Sequence, residues 1–407
     1  MEKLIEKSYL KVLVITMNNY LNLIKKYGTP CYIYDETILE KRIRYLRSKF
    51  NNDYKFIYAV KANSFILEFI DKYVDGYELC SFGEFEICKS LKLNERDFLI
   101  SGVNKDYDSI DYIFKNSNVD KFTIESINQY KLIEQCATKH NKKVNIFLRL
   151  TSGNQFGMSE NDLDEVIKLA INNKCMNILG IEYFSGTQKD SIKILAKEIN
   201  YLNDFVNYIE KKHQINIHVI EFGPGLPVSY FDTSFDESTF LDELNKLLMI
   251  FGKRKINLEI GRSLVASCGM YATTVTDIKS NKNGNAVILD GGINHLVYYG
   301  QTMAMRTPNF EVFYQNSGPK YIYNLYGSLC TINDIILKNV NLNKLECGDI
   351  FIFKDVGAYS VTEGISLFLS RTIPKVILID KEKNNYLVRK EIKTSYINCP
   401  IKIKEGV

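Results

Sequence analysis

Residues 144–184 have the sequence VNIFLRLTSGNQFGMSENDLDEVIKLAINNKCMNILGIEYF. The stretch begins with an apolar run, Val144–Arg149, and ends with a second, Ile178–Phe184, and each has the length of a buried strand. Between them, apolar residues recur with the 3.6-residue period of a helix, at positions 163, 166, 167, 170 and 171. The stretch therefore predicts strand, helix and strand, which is the repeating unit of a parallel sheet.

The same alternation extends to both sides, from about residue 38 to residue 275. It gives eight predicted strands, Phe56–Val60, Tyr77–Cys80, Asp97–Ile100, Lys121–Ile124, Val144–Arg149, Ile178–Phe184, Ile217–Phe222 and Ile256–Ile260. Segments of helical period lie between them. Eight such units in roughly 220 residues favour a closed (β/α)8 barrel, with an open doubly wound sheet as the alternative.

The rhythm changes after Cys268, where short predicted strands follow one another across Gly, Asn and Asp turns. They are Tyr271–Ile278, Ala286–Leu289, Tyr321–Tyr326, Asp349–Phe353 and Lys375–Leu378. That pattern is typical of an antiparallel β domain. The extended segment Cys31–Tyr34 is expected to join it. We therefore predict three parts: residues 1–37 joining the β domain, a barrel over residues 38–275, and a β-rich domain over residues 276–407 that completes the active site.

The composition excludes several classes of protein. The net charge of +4 comes from 52 basic and 48 acidic residues spread along the chain, which does not suggest nucleic-acid binding. None of the nine cysteines forms a C-x-x-C pair and there are only four histidines, so no metal site is expected. The apolar run Val12–Met17 is too short for a signal core or a membrane span. We expect a cytoplasmic protein with no membrane partner.

Active sites of such barrels lie at the carboxyl ends of the strands, and here those ends carry a coherent set of groups. Lys61 follows strand one, the turn Gly223-Pro224-Gly225 follows strand seven, and Glu259-Ile260-Gly261-Arg262 ends strand eight. Each is weak evidence by itself. Pyridoxal 5'-phosphate (PLP) requires all of them, because its aldehyde needs an amine, its phosphate needs N–H groups and a cation, and its pyridine nitrogen needs a partner.

These segments resemble motifs of the PLP decarboxylases with an alanine-racemase-type barrel, which include diaminopimelate and ornithine decarboxylases. Residues 58–63, YAVKAN, resemble the Schiff-base motif; residues 221–225, EFGPG, resemble the phosphate loop; and residues 259–263, EIGRS, resemble the E-P-G-R segment. Cys330 and the triplet Gly357-Ala358-Tyr359 follow in the family's order. The resemblance runs from Thr29 to about residue 380.

The resemblance implies a role for each matched residue. Lys61 would hold PLP as a Schiff base and Glu259 would pair with the pyridine nitrogen, which favours decarboxylation over racemisation. Cys330 would reach into the partner subunit's site and help to protonate the product, so that a homodimer with shared active sites is expected. The other implied cofactor contacts are Glu78, Arg149, Phe184, Thr187, Gly223, Gly225, Gly261, Arg262 and Tyr359.

Some departures from the family concern the substrate. Phe184 stands where the family stacks a histidine on the PLP ring. Diaminopimelate decarboxylases clamp the far end of their substrate with charged side chains, and the matching positions here are Tyr298, Thr331 and residues 368–369. Free diaminopimelate is therefore not the expected substrate. His295, after the Asp-Gly-Gly turn, is expected to be structural.

One branch of the family decarboxylates an amino acid tethered to an acyl-carrier protein. The segments Gln155–Met158, Ser185–Gln188 and Leu329–Thr331 resemble that branch. Arg306 and Glu363 are further candidate substrate contacts for either a small free amino acid or a tethered one. A PLP-dependent amino-acid racemase and a non-catalytic regulatory homologue are the remaining alternatives.

Overall fold

The computed structural model describes residues 19–231, 234–282, 284–316 and 318–400. Within them the chain forms two compact units. The β unit comprises residues 19–36, Tyr230–Phe231 and the described residues from 267 onward, and the barrel unit comprises residues 37–229 and 234–266. The β unit begins with helix α1 (residues 19–27) and strand β1 (Cys31–Asp35). The predicted run Val12–Met17 lies outside the described residues.

The barrel unit is a closed barrel of eight parallel strands, paired in chain order, with the first strand also paired to the last. Most of their residues are buried, which explains why they stand out in the sequence as apolar runs. The predicted (β/α)8 barrel is confirmed, and the open sheet is wrong. The strands are β2 (Lys55–Ala59), β3 (Gly76–Leu79), β4 (Phe98–Ile100), β5 (Lys121–Ile124), β6 (Val144–Arg149), β7 (Met176–Phe184), β8 (Val219–Gly223) and β9 (Lys255–Ile260).

Helices alternate with these strands, and several begin directly after a strand end. The side chains of Ser81, Asp106, Ser126 and Ser159 each accept a hydrogen bond from a backbone N–H of the first helical turn. These caps fix where the loops at the carboxyl edge of the barrel end. The helices are α2 (Glu36–Lys49), α3 (Leu67–Ile70), α4 (Phe82–Ser90), α5 (Tyr107–Asn116), α6 (Ile127–Lys139), α7 (Glu160–Ala170), α8 (Ile192–His213), α9 (Glu237–Leu248), α10 (Arg262–Val265) and, in the β unit, α11 (Ser360–Glu363).

The β unit is a mostly antiparallel sheet in which β1 lies between two C-terminal strands. Its other strands are β10 (Gly269–Asn281), β11 (Gly284–Leu289), β12 (Phe310–Phe313), β13 (Lys320–Tyr326), β14 (Ile335–Asn343), β15 (Ile350–Phe353), β16 (Lys375–Ile379) and β17 (Asn385–Arg389). The expected β domain with the N-terminal strand in it is confirmed. Two pairs, β1–β16 and β11–β13, are parallel and not antiparallel as expected.

Strand β10 explains why β1 belongs to this unit. Cys31 and Ile33 pair with Ala272 and Met270, and all four side chains lie in one buried apolar cluster. The predicted domain boundary between residues 275 and 276 falls inside β10. Among the helices that the structure describes, none combines the length and the apolarity that a membrane crossing requires.

Candidate active site

Lys61 lies at the carboxyl edge of the barrel because β2 ends at Ala59 and continues as a single 3-10 turn, Val60–Ala62. The turn is fixed by Asn63, whose side chain accepts from the Phe65 backbone N–H and whose carbonyl accepts from the Tyr58 hydroxyl at 2.8 Å. The Lys61 side chain is still 39% exposed, so its amine can be reached from outside the barrel.

Two buried carboxylates flank the Lys61 amine. Its Nζ lies 2.7 Å from Oε2 of Glu78 and 3.4 Å from Oε1 of Glu259. Burial acts to lower the pKa of Lys61, but the two carboxylates outweigh it and hold that pKa well above its ordinary value. The structure therefore brings together three residues that the sequence placed on separate strands.

The pKa values of these two carboxyl groups shift in opposite directions. Burial and the neighbouring charge of Glu78 raise the pKa of Glu259 well above its ordinary value. Burial also acts to raise the pKa of Glu78, but Lys61 and the hydrogen bond from Glu259 outweigh it and lower this pKa. Glu78 is therefore the ionised member of the pair, and Glu259 carries the proton.

Arg149, at the end of β6, lies against a third acid of the barrel interior. Its Nε is 3.2 Å from Oε1 of Glu182, and the Thr123 hydroxyl donates to the other oxygen of Glu182 at 2.6 Å. One carboxylate oxygen each of Glu78, Glu182 and Glu259 lies within 4.8 Å of the other two. Arg149 and Lys61 thus lie as cations beside a cluster of buried acids.

The loop after β6 is held over Arg149 by Glu125, which follows β5. One oxygen of Glu125 lies 3.3 Å from Nη1 of Arg149, and the other accepts from the Gly157 backbone N–H at 3.1 Å. The Phe156 ring lies 4.8 Å from the guanidinium of Arg149. Glu125 therefore fixes both the arginine and the loop that includes Gln155–Met158.

Two loops meet at the ends of β7 and β8, where the phosphate site was predicted. Gly225 has a φ of +62°, and a Cβ atom there would lie 2.1 Å from the carbonyl oxygen of Gly186. The Gly225 carbonyl accepts from the Lys189 backbone N–H, and the Gln188 side chain forms two hydrogen bonds with the backbone of Val228. Only a glycine at position 225 allows this close approach.

The other predicted cofactor contacts of the barrel lie at the same edge. Phe184 and Gly223 are paired residues at the ends of β7 and β8, and a Cβ at position 223 would lie 2.5 Å from the Phe184 ring. Buried Arg262 begins α10 directly after Gly261, and its Nε donates to the Thr187 hydroxyl at 3.3 Å.

This donor set fits PLP. The barrel unit offers an accessible amine with two carboxyl groups beside it, an arginine bonded to a hydroxyl, and a glycine turn at the same edge. The structure thus brings the predicted barrel residues to one edge of one unit. Their individual roles stay predictions.

Two predicted site residues belong to the β unit. Cys330 is exposed in the loop between β13 and β14. Tyr359 has a φ of +66° and precedes helix α11. Both roles, in proton transfer and in phosphate binding, stay predictions.

The candidate substrate residues of the β unit differ in exposure. Tyr298 is buried, packs against Tyr230 and Phe231, and donates its hydroxyl to the Lys354 carbonyl at 2.6 Å. Exposed Arg306 has its guanidinium 5.4 Å from the Phe231 ring.

Thr331, Glu363 and His295 complete the candidates from this unit. Thr331 is half-buried beside Cys330, and Glu363 is exposed at the end of α11. Buried His295 contacts the Tyr271 hydroxyl through Nδ1 and the Thr372 carbonyl through Nε2, and burial lowers its pKa to about 4. A neutral ring with both nitrogens in contacts fits the expected structural role.

Sequence reasoning missed several residues of the site. Cys80, which belongs to none of the matched motifs, has its Sγ 3.5 Å from the Lys61 amine. Glu125 and Lys105 follow β5 and β4, and burial lowers the pKa of Lys105 to about 8. Cys80 ends a predicted strand, Glu125 directly follows one, and Lys105 lies five residues after another, so the rule that found Lys61 pointed to this region too. Glu182 had another signal, as a lone charged residue inside an apolar strand.

Comparison with known proteins agrees with this geometry. Residues 31–357 match the family model described as "Pyridoxal-dependent decarboxylase, C-terminal sheet domain". The chain is 26% identical to the L-glutamyl-[BtrI acyl-carrier protein] decarboxylase of Niallia circulans, over 91% of this chain and 92% of that protein. It is 28% identical to the diaminopimelate decarboxylase of Haemophilus influenzae, over 90% and 92%.

Two further likenesses concern substrate and fold. The chain is 26% identical to the 2-[(L-alanin-3-ylcarbamoyl)methyl]-2-hydroxybutanedioate decarboxylase of Staphylococcus aureus, over 87% of this chain and 95% of that protein. The crystal structure of diaminopimelate decarboxylase from M. jannaschii superposes with a TM-score of 0.83 at 24% identity, covering 94% of both chains.

Proposed function

The chain belongs to the family of pyridoxal-dependent decarboxylases, and we propose that it decarboxylates an amino acid whose far end is joined to another group. That it is a PLP-dependent amino-acid decarboxylase follows from the family and from its relatives. Membership in a decarboxylase family favours this activity over a racemase. The retained Lys61 and Cys330 argue against a non-catalytic homologue.

The barrel residues account for the reaction class. When bound, PLP accepts the electron pair that remains on the substrate as CO₂ departs. Lys61 would hold the cofactor, and Arg262, Thr187 and the Gly223–Gly225 turn would hold its phosphate. Glu259, whose pKa is raised well above its ordinary value by burial and by Glu78, would pair with the pyridine nitrogen.

The burial of Tyr298 and the hydrogen bond of its hydroxyl are the main support for the proposed substrate class. By resemblance, this region holds the arginine with which diaminopimelate decarboxylases bind the far end of their substrate. Here a buried tyrosine donates its hydroxyl to the Lys354 carbonyl, so it offers no charge to a free ammonium-carboxylate end. Thr331, beside Cys330, is likewise uncharged where those enzymes have an acid. A zwitterionic end would lose its charged partners here.

The relatives support a conjugated substrate. The proteins of N. circulans and S. aureus are named for a glutamyl group on an acyl-carrier protein and for an amino acid in amide linkage to a hydroxy acid. In both, the far end of the amino acid is part of a larger molecule. A carrier-linked amino acid is the form that we propose first, and a small conjugated amino acid is the second.

Release of CO₂ tests the substrate class. The purified enzyme with PLP is given meso-diaminopimelate, free glutamate, free diaminopropionate, a glutamyl thioester of pantetheine and an N-acylated diaminopropionate. We expect turnover with one of the last two and little with the free amino acids. Rapid turnover of meso-diaminopimelate would show that the proposed substrate class is wrong.

We also propose that the protein is a homodimer in which Cys330 completes the partner subunit's site. An apolar patch of the β unit supports an interface near Cys330. The patch is formed by two loops, residues 327–334 and 364–374, which are linked because the Arg371 side chain donates to the Ser328 carbonyl at 2.7 Å. Ile332 is 85% exposed, and about half of the surface of each other member is free: Ile365, Leu367, Phe368 and Leu369. The cytoplasmic location stays a prediction.

A further inference from the structure

Two turns of the β unit meet because β11 and β13 are parallel neighbours. The turn Asp290–Gly292 follows the carboxyl end of β11, and the loop 327–334, with Cys330 in it, follows the carboxyl end of β13. Parallel strands bring their carboxyl ends to the same edge of a sheet. The position of Cys330 therefore depends on what joins these two turns.

Asp334 joins them from inside. Its side chain is only 1% exposed. One carboxylate oxygen accepts from the Ile293 backbone N–H at 2.9 Å, next to the first turn, and the other accepts from the Leu329 backbone N–H at 2.7 Å, next to Cys330. The Gly327 backbone N–H also donates to the Asp334 carbonyl at 2.9 Å. A single residue thus closes the Cys330 loop and links it to the neighbouring turn.

Two glycines make room for this carboxylate. A Cβ atom at Gly292 would lie 2.2 Å from Oδ1 of Asp334, and one at Gly327 would lie 2.3 Å from the same atom. The Gly327 Cβ would also lie 2.4 Å from the Cα of Gly292. The backbones of the two turns therefore approach each other closely around a buried charge, and this arrangement is more specific than an ordinary hairpin requires.

We infer that Asp334 is a positioning residue, whose carboxylate fixes the loop that presents Cys330. The inference rests on the proposed role of Cys330 and adds what sets the place of its thiol. A proton donor acts only within a short reach of the carbon that it protonates, so a shifted loop would slow turnover without loosening the cofactor.

The chain contains a matched control. Asp349 is also 1% exposed in the β unit, and its two oxygens accept from the backbone N–H groups of Gln315 and Glu346 at 2.7 and 2.8 Å. It lies outside the Cys330 loop. Asp334→Asn and Asp349→Asn therefore remove the same kind of buried charge, and only the first touches the loop.

The test compares both variants as holoenzymes. We measure kcat, KM, the PLP absorption band and the rate at which iodoacetamide modifies Cys330, read by mass spectrometry of the Cys330 peptide. Asp334→Asn should lower kcat about tenfold or more and speed the modification of Cys330, with the absorption band unchanged. Asp349→Asn should leave both rates close to those of the wild type.

Equal effects of the two variants, or unchanged rates in Asp334→Asn, would overturn the inference. Gly292→Ala provides a second approach if Asp334→Asn does not fold, because its methyl group displaces the same carboxylate and should give the same signature. The modification rate reports on the thiol itself. It therefore tests the placement of the loop even if Cys330→Ser keeps full turnover, a result that would contradict the proposed role of Cys330 alone.

Discussion

Glu78 and Glu259 lie on the two strands that flank β2 in the barrel, so that both face the amine that follows β2. Their proximity would be costly if both were ionised, and the structure avoids this cost through unequal protonation. Lys61 approaches Glu78 more closely, 2.7 Å against 3.4 Å for Glu259, which leaves the proton on Glu259. The residue expected to face the pyridine nitrogen is thus the one that arrives with a proton.

Replacing Glu259 tests this assignment. In Glu259→Gln the amide can still form hydrogen bonds but cannot give up a proton, so we expect kcat to fall about 100-fold or more with PLP still bound. The measurements are CO₂ release and the absorption band. Glu221→Gln is the control, since Glu221 is a buried acid of the same barrel whose carboxylate accepts from Asn257. An equal loss in the control would contradict the assignment.

Glu221 itself gives a prediction for stability. Burial, opposed by the hydrogen bond from Asn257, raises its pKa from 4.5 to about 8. Between these two values the folded chain keeps a proton that the unfolded chain has released. The stability that depends on the neutral form of Glu221 is therefore fully present below pH 4.5 and is lost as the pH rises through 8.

Stability should accordingly fall with pH in the wild type and fall less in Glu221→Gln. The unfolding free energy of Glu221→Gln minus that of the wild type should increase by up to about 1.4 kcal/mol for each pH unit between pH 5 and 8. Denaturant unfolding of both proteins without PLP, at pH 5 and at pH 8, measures it. A constant difference at the two pH values would show that Glu221 does not titrate in this range.

At the scale of elements, the loops after β7 and β8, which we expect to hold the phosphate, lie in contact because Gly225 permits their close approach. Gly225→Ala places a methyl group 2.1 Å from the Gly186 carbonyl oxygen at a φ of +62°. We expect PLP affinity to fall about tenfold or more, since the turn must open. Titration of the apoenzyme with PLP measures it.

Gly252→Ala is the control for this change. Gly252 has a similar φ of +66°, but a Cβ atom there meets nothing within 4 Å. An alanine there is strained by the positive φ but meets no collision, and PLP affinity should stay near the wild-type value. An equal loss of PLP affinity in both variants would show that backbone strain, and not the contact between the loops, causes the effect.

The elements also show how far the sequence could predict the fold. All eight barrel strands were predicted, since a strand buried on both faces appears as an apolar run. Strands β12, β14 and β17 were missed. In β14 the apolar run 335–337 has only three residues and is followed by alternating polar and apolar side chains. In β17 the apolar run 386–388 is equally short, so neither reaches the length of a predicted strand. The parallel pairs β1–β16 and β11–β13 depend on partners distant in sequence.

The residues of the candidate site that could be predicted are those that belong to a strand end and also match a family motif. Lys61 and Arg262 follow strands that the apolar runs reveal, Glu259 lies near the end of one, and the resemblance supplied their chemistry. Cys80 and Glu125 follow strands too, but they match no motif, and only the folded chain shows their contacts with Lys61 and Arg149. The burial of Tyr298 depends on Tyr230 and Phe231, which join the β unit from a distant part of the chain.

At the scale of the whole molecule, the predicted site residues are divided between the two units. The barrel unit holds Lys61 and the carboxylate pair, and the β unit holds Cys330 and Tyr359. The exposed thiol of Cys330 and the apolar patch beside it support a second copy of the chain as the structure that covers them. If so, each active site takes Lys61 from one subunit and Cys330 from the other.

Mixing two inactive variants tests this arrangement. Lys61→Ala removes the cofactor amine and Cys330→Ala removes the proton donor, so each homodimer should have little activity. In a heterodimer one site carries both changes and the other carries neither. Equal amounts that exchange subunits freely form heterodimers in half of the dimers, so the mixture should regain about a quarter of the wild-type activity. Activity that stays at the level of the separate variants after exchange would show that both residues serve the same subunit's site.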